Sequence, residues 1–232
     1  MKANCRNALL ATGILFLSAH AFSQEAKISI WDAASTGDIE AIKAHIEAGA
    51  DVDKTDESGY APIILASLQK HFKLVKFLLE MGADADVVQK STGDTLLHHA
   101  ARYGDLGVVR LLLDEYEANL ESENKRLDTP LVQAAQTGRL KVIDYLIGKG
   151  AEVDHVSKYK TPLTVAVQSK HFSVVKLLIA QGADVNNQTS HGVSPMIRAC
   201  EIGSLKMVQL LLESGAKVES DSANYSPLLA AT

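Results

Sequence analysis

The stretch Thr129-Pro130-Leu131-Val132-Gln133-Ala134-Ala135, with Thr137-Gly138 just beyond it, sets how this chain is organised. A threonine hydroxyl caps a helix start, and proline is best tolerated at the first helical position, where its missing N–H would have no partner anyway. Leu131, Val132, Ala134 and Ala135 make a short apolar helix, and Gly138 turns the chain towards a second one. That second helix is clearest at Leu205-Lys206-Met207-Val208-Gln209-Leu210-Leu211-Leu212, closed by Gly215. A glycine there can take the left-handed conformation that ends a helix. Helices this short are marginal in water, so they persist only by stacking on neighbours.

The motif recurs along the whole chain. Its five prolines, Pro62, Pro130, Pro162, Pro195 and Pro227, all lie on one register, and the slot missing from the series is held by Leu96. The pairs Gly49-Ala50, Gly82-Ala83, Gly150-Ala151, Gly182-Ala183 and Gly215-Ala216 keep step with them. A period of ~33 residues is the mark of a solenoid. The residue before each proline slot is Ala61, Thr95, Thr129, Thr161, Ser194 or Ser226, mostly helix-capping types.

Thr95-Leu96-Leu97-His98-His99-Ala100-Ala101 and Gln181-Gly182-Ala183-Asp184-Val185-Asn186 resemble the start and end of an ankyrin repeat. The resemblance implies an all-α repeat solenoid of antiparallel helix pairs with β-turn fingers. Six repeats are expected, at about 28–56, 57–90, 91–124, 125–156, 157–189 and 190–221, with a partial repeat at 222–232. Several copies depart from the pattern. The first lacks a Thr-Pro start and has Trp31 in the histidine slot, as suits an N-terminal cap. The third has no closing glycine and one extra residue around Asp114-Glu115-Tyr116-Glu117. Lys70 and Lys170 replace a turn glycine. The fingers around Leu127 and Tyr159 have also lost theirs, so those turns either avoid positive φ or hold a strained backbone. Ala230-Ala231-Thr232 ends the sequence barely inside a seventh copy, as a stub cap or as part of a longer array.

Apolar residues are 47% of the chain and charged ones 22%, ordinary for a folded soluble protein, and the formal charge of −5 argues against a nucleic-acid partner. Residues 1–23 differ in character. Lys2 and Arg6 form a basic start, Ala8 to Ser18 is an uncharged and mostly apolar run, and Ala19-His20-Ala21-Phe22-Ser23 supplies small residues. This is the secretory signal pattern, and the run falls well short of the ~20 residues that span a bilayer. Cleavage is expected after Ala21 or Ser23, leaving residues 24–232 as the repeat domain, exported to a bacterial periplasm or secreted. Such cleavage removes Cys5 and leaves Cys200 with no internal disulfide partner.

No motif points to catalysis. His98 falls in the structural histidine slot that the resemblance implies, His71 and His171 match the second residue of the family's Gly-His turn, and no pair of histidines has zinc-hydrolase spacing. Cys200 occupies a small-residue slot filled elsewhere by Ala34, Ser67, Ala101, Ala135 and Val167, which predicts a buried and inert thiol. Asp51, Asp84, Asp86 and Asp184 are the repeat's own helix-end aspartates. No cofactor, metal or enzymatic activity is expected.

The resemblance implies a partner bound along the finger tips and the exposed ends of the first helices. Mapping that face picks out Tyr60, Leu68, Gln69, Arg102, Tyr103, Arg126, Gln136, Tyr159, Gln168, Ile202 and Tyr225, with Asp94, Lys125, Asp128, Lys158, Lys160, His191, Val193 and Glu201 around them. Tyrosine and arginine are the side chains that dominate interface energetics. The sequence thus predicts a protein-binding module, monomeric when free, that inhibits, neutralises or chaperones a periplasmic enzyme or toxin. An envelope scaffold with several partners is the alternative.

Overall fold

The computed structural model describes residues 28–218. The signal-type segment, Cys5, Tyr225 and the partial repeat lie outside the described residues. The chain divides into two compact units, one ending at Ser91 and the other beginning at Thr92.

The first unit holds α1 (Ile30–Thr36), α2 (Ile39–Glu47), α3 (Pro62–Leu68) and α4 (Phe72–Glu80). The second holds α5 (Leu96–Tyr103), α6 (Leu106–Asp114), α7 (Pro130–Thr137), α8 (Leu140–Gly148), α9 (Pro162–Gln168), α10 (Phe172–Ala180), α11 (Pro195–Glu201) and α12 (Leu205–Glu213). These are the helix pairs of the six expected repeats. Within the first unit α1 packs on both α2 and α3. Within the second, α5, α7, α9 and α11 pack side by side in order, each with its own second helix against it.

The caps follow the sequence. Thr95, Thr129, Thr161 and Ser194 each accept a hydrogen bond from the backbone N–H three residues on, and proline opens α3, α7, α9 and α11. Asp38, Asp105 and Ser204 cap second helices in the same way. At the other ends, Gly37, Gly104 and Gly138 are left-handed, with φ of 76°, 78° and 76°.

The residue opening the next repeat's turn then reaches back across the stack. His71 Nε2 donates to Ser35 O at 3.0 Å, Arg139 Nε to Arg102 O at 2.9 Å, and His171 Nε2 to Gln136 O at 3.1 Å. Each carbonyl belongs to the last turn of a first helix and has no partner within that helix. A Cβ built on Gly37 would stand 2.6 Å from the His71 ring, and one on Gly138 2.8 Å from that of His171. Glycine is therefore required at both places for conformation and for space.

The irregular copies obey the same constraints. Lys70 and Lys170 take the left-handed seat with φ of 64° and 60°, and Glu117 does so at 51°. The extra residue of the third repeat is absorbed in the loop ahead of Ala118, whose N–H still reaches Leu112 O at 3.0 Å. The helix-end acids close turns as expected: Asp51 Oδ1 accepts from Asp53 N, Asp84 Oδ1 from Asp86 N and Asp184 Oδ1 from Asn186 N. Trp31 donates its indole N–H to Lys54 O at 2.9 Å, pinning the loop after α2.

Cys200 departs from expectation, being half-buried, where its counterparts at Ala34, Ser67, Ala101, Ala135 and Val167 are buried. In the second unit those counterparts are covered by the first helix of the following repeat, and α11 is the last first helix among the described residues. Burial, followed by the nearby Glu201 carboxylate, still raises the thiol pKa, which disfavours the reactive thiolate.

Leu, Ile, Val and Ala fill the interiors, with Ile42, Ile63, Ile64, Leu74 and Leu78 buried in the first unit and Leu97, Leu112, Leu131, Ile143 and Leu146 in the second. Leu112 and Leu178 are both 0% exposed. Leu112→Ala and Leu178→Ala should each remove about 2–5 kcal/mol of folding stability through lost contacts and a cavity. Urea denaturation followed by circular dichroism checks this, and an unshifted midpoint for either variant would contradict the packing described.

Candidate functional site

Three of the fingers are organised by a polar side chain at the base. In the first unit, Asp56 Oδ1 accepts from Tyr60 N at 2.8 Å and Gly59 supplies the left-handed corner. In the second unit, Asn124 Oδ1 accepts from Arg126 N and Asp128 N, and Thr189 Oγ1 from His191 N and Val193 N. The corner residue of the Asn124 finger is Leu127, held left-handed at φ 58° with its side chain exposed. The finger around Tyr159 avoids that cost by being one residue shorter. Ser157 N bonds to Lys160 O, three residues on, where Asn124 and Thr189 bond to the carbonyl four residues on. Both readings of a missing glycine are therefore realised, one in each finger.

The fingers of the second unit lean on one another. Lys125 N donates to Thr92 O at 3.0 Å, Lys158 N to Arg126 O at 3.2 Å, and Ser190 Oγ to Lys158 O. Beneath them runs a continuous polar chain. Asp94, whose side chain is 1% exposed, accepts from Asn124 Nδ2 at 2.6 Å and from Arg102 Nη2 at 3.2 Å. Arg102 Nε donates to Gln133 Oε1, and Gln133 Nε2 to Asp128 Oδ2. Lys160 Nζ closes on Asp128 Oδ2 at 2.7 Å and on Gln136 Oε1 at 3.0 Å. Buried carboxylates are tolerable only when paired in this way. The chain has one flaw. Ser157 stands where Asn124 stands one repeat earlier, and both Ser157 Oγ and Asp128 Oδ1 are buried with no hydrogen-bond partner. An unpartnered buried polar atom costs about 1–3 kcal/mol.

Electrostatics follow from this burial. Burial alone would raise the Asp94 pKa, but the Asn124 amide and the Arg102 guanidinium outweigh it and hold the carboxyl below its ordinary value. Burial pushes His98 down, against its bond to Asp128 O, and pushes His99 down to about 4, helped by the charge of Arg102. His98 takes the structural role expected of it: Nδ1 accepts from Thr95 N and Nε2 donates to Asp128 O at 2.8 Å.

The expected face is therefore only partly available to a partner. In the second unit Tyr103, Arg126, Gln136, Tyr159 and Gln168 are exposed, with Tyr103 at 42% and Tyr159 at 49%, and Ile202 is half-buried. Arg102 is half-buried and engaged with Asp94 and Gln133, so its first role is structural. Asp94, Asp128 and Val193 are buried rather than surface-facing, because neighbouring repeats close over them. In the first unit Gln69 is exposed while Tyr60 and Leu68 are half-buried. Asn124 and Gln133, which sequence reasoning passed over, tie the fingers to the helices. Gln133 is a polar residue in the middle of an otherwise apolar helix, and that was its signal.

His99 contributes to the pH dependence of this region alongside His98. Its folded pKa lies below the ordinary 6.5, so on acidification the unfolded chain takes up the proton first and stability falls. From about pH 7 to about pH 5 the protein should lose about 2 kcal/mol that His99→Gln does not lose. Urea midpoints for both proteins across that range measure the difference, and parallel pH profiles would contradict it.

The comparisons with known proteins agree with this geometry. A family model described as ankyrin repeats (3 copies) matches residues 30–124, 81–157, 116–189 and 131–222. The transient receptor potential cation channel subfamily A member 1 of Homo sapiens is 29% identical over 191 residues, 79% of this chain. This chain spans only 17% of that channel subunit's length. The crystal structure of the ankyrin repeat domain of Bcl-3, a member of the IkappaB protein family, superposes with a TM-score of 0.75 at 27% identity, covering 88% of this chain and 94% of that one. The human ASB11 ankyrin repeat domain gives 0.77 at 26% identity, covering 89% and 92%. With family matches running from Ile30 to Leu212 and beyond, over helix pairs capped and stacked as described, the chain belongs to the ankyrin repeat family.

Proposed function

We propose that this chain is a non-catalytic protein-binding module, exported to a bacterial periplasm, which holds a protein partner on the finger face of its second unit and thereby inhibits, neutralises or chaperones it. Ankyrin repeats mediate protein–protein interaction, which supports the class of function. The observation that carries the reading to a surface is the pair Tyr103 and Tyr159. Both are large and exposed, and both stand on backbone held rigid from beneath by the Asp94–Arg102–Gln133–Asp128–Lys160 chain. A preorganised aromatic loses little entropy on binding, so more of its buried area appears as affinity. Export rests on the basic, apolar and small-residue order of residues 1–23. No helix among the described residues is long and apolar enough to cross a membrane.

The test begins with a partner captured by the full chain from the envelope fraction of its own host. Tyr103→Ala and Tyr159→Ala should each weaken that complex about thirtyfold, the loss of about 2 kcal/mol expected of an interface anchor. The thermal melt should stay in place, since neither residue is in the core. Normal binding by both, with losses from Lys141→Ala and Lys176→Ala on the second helices, would place the working surface elsewhere. N-terminal sequencing of the protein from its host should begin at Phe22 or Gln24, and an intact Met1 in the soluble cytoplasmic fraction would overturn the compartment.

A further inference from the structure

The tips of three successive fingers in the second unit differ in charge from the rest of the molecule. The chain as a whole is acidic, with 28 Asp and Glu against 23 Lys and Arg. Residues 125–127, 158–160 and 190–192 nevertheless contain Lys125, Arg126, Lys158, Lys160 and His191 and no acid. Asp128 is buried and held by Lys160 and Gln133, Glu201 is paired with Arg198 at 2.7 Å, and Glu123 faces His155 at 3.6 Å. Among the described residues neither Arg126 nor Lys158 has an ion-pair partner, and both are exposed.

These tips form one surface. The bond from Lys158 N to Arg126 O joins the first two fingers, and that from Ser190 Oγ to Lys158 O joins the second and third. The Tyr159 and His191 rings lie 5.1 Å apart at 33°, and Lys158 Nζ sits 5.2 Å from the Tyr159 ring centre. Leu127, next to Arg126 in the preceding finger, has 46% of its surface exposed. The result is a cationic strip around an aromatic platform, on fingers joined by one backbone and one side-chain hydrogen bond.

Resting on the finger-face reading above, we propose that the strip Arg126–Lys158–Tyr159–His191 is the docking edge for an acidic, extended segment of the protein partner. Carboxylates of that segment pair with Arg126 and Lys158, while an intervening apolar side chain lies on the Tyr159–His191 platform. Complementary charge steers such a segment to the tips and sets its register. A nucleic acid fits less well, because a phosphate backbone needs a longer basic track and meets an overall charge of −5. A small anion needs a cradle of converging donors, and these cations lie on exposed tips.

The full chain is titrated, by fluorescence anisotropy, into a short labelled peptide of alternating Glu and Leu, a Lys-for-Glu version, and a single-stranded oligonucleotide. The Glu peptide should bind, and its affinity should fall about tenfold from about 50 to about 300 mM salt. The double variant Arg126→Glu, Lys158→Glu should weaken it about tenfold or more, whereas Lys141→Glu on α8 should leave it unchanged. Failure of the Glu peptide to bind, indifference to the double variant, or equal binding of the oligonucleotide overturns the proposal. The captured partner separates this proposal from the one it rests on. If Tyr103→Ala weakens the complex and the double variant does not, the acidic docking edge is wrong and the finger face stands. If neither change matters, the finger face itself falls.

Discussion

The carbonyl groups at the ends of the first helices impose the constraint on which the rest of this structure depends. A helix of seven or eight residues, such as α1 or α7, leaves many of its backbone groups without an internal partner. Water could satisfy them, but the helices must also bury their apolar faces, and packing there competes with solvent for the same helix ends. The side chain that opens the next turn resolves the conflict. His71, Arg139 and His171 each donate to a carbonyl of the repeat before them, and Gly37, Gly104 and Gly138 leave the space that this approach requires. Stacking thus supplies bonds that these short helices lack by themselves, which agrees with the marginal stability of short isolated helices.

The same division of labour extends to the fingers. A surface built for binding must carry side chains chosen for a partner, yet a loose loop would lose much of the affinity to ordering. This protein places its ionic bonds below the surface and its aromatic rings above it. Asp94 and Asp128 lie buried and are held by Arg102, Asn124, Gln133 and Lys160, so the loops carrying Arg126 and Tyr159 are tied to α5 and α7 from beneath. Buried pairs of this kind contribute little net stability, but removing one partner strands a charge. Their effect is on where the loops stand.

Much of this was legible in the sequence and some was not. The proline register, the capping Thr and Ser residues and the helix-closing glycines are local signals, each dictated by the stereochemistry of a few residues, and they gave the helix pairs and their order. His98, His71 and His171 were placed by the same repeating pattern. The burial of Asp94 and Asp128 was not legible, because it depends on repeats stacked side by side, and a finger aspartate looks the same in one dimension wet or dry. In the sequence Arg102 reads as a binding residue for the same reason, while the structure engages it with Asp94 and Gln133. Cys200 failed differently: its slot is correct, but its burial depends on the next repeat's first helix, and a slot alone does not say what covers it. Leu127 and Tyr159 share an absent glycine, and only the hydrogen-bond spacing of their fingers tells them apart.

The shortened finger between α8 and α9 has a consequence for what its tip can carry. In the other fingers of the second unit one position at the corner is left-handed, as at Gly192 and Leu127, and most side chains are penalised there. Deleting one residue removes that position from the finger that bears Lys158 and Tyr159. Every residue left at the tip sits in ordinary backbone territory, where bulky, branched or charged side chains are equally admissible. Loop length here acts as a filter on the amino-acid alphabet: the longer fingers restrict what may be written at their corners, and this one does not. A lineage changing its partner could rewrite residues 158 and 159 freely while the helices beneath kept their sequence.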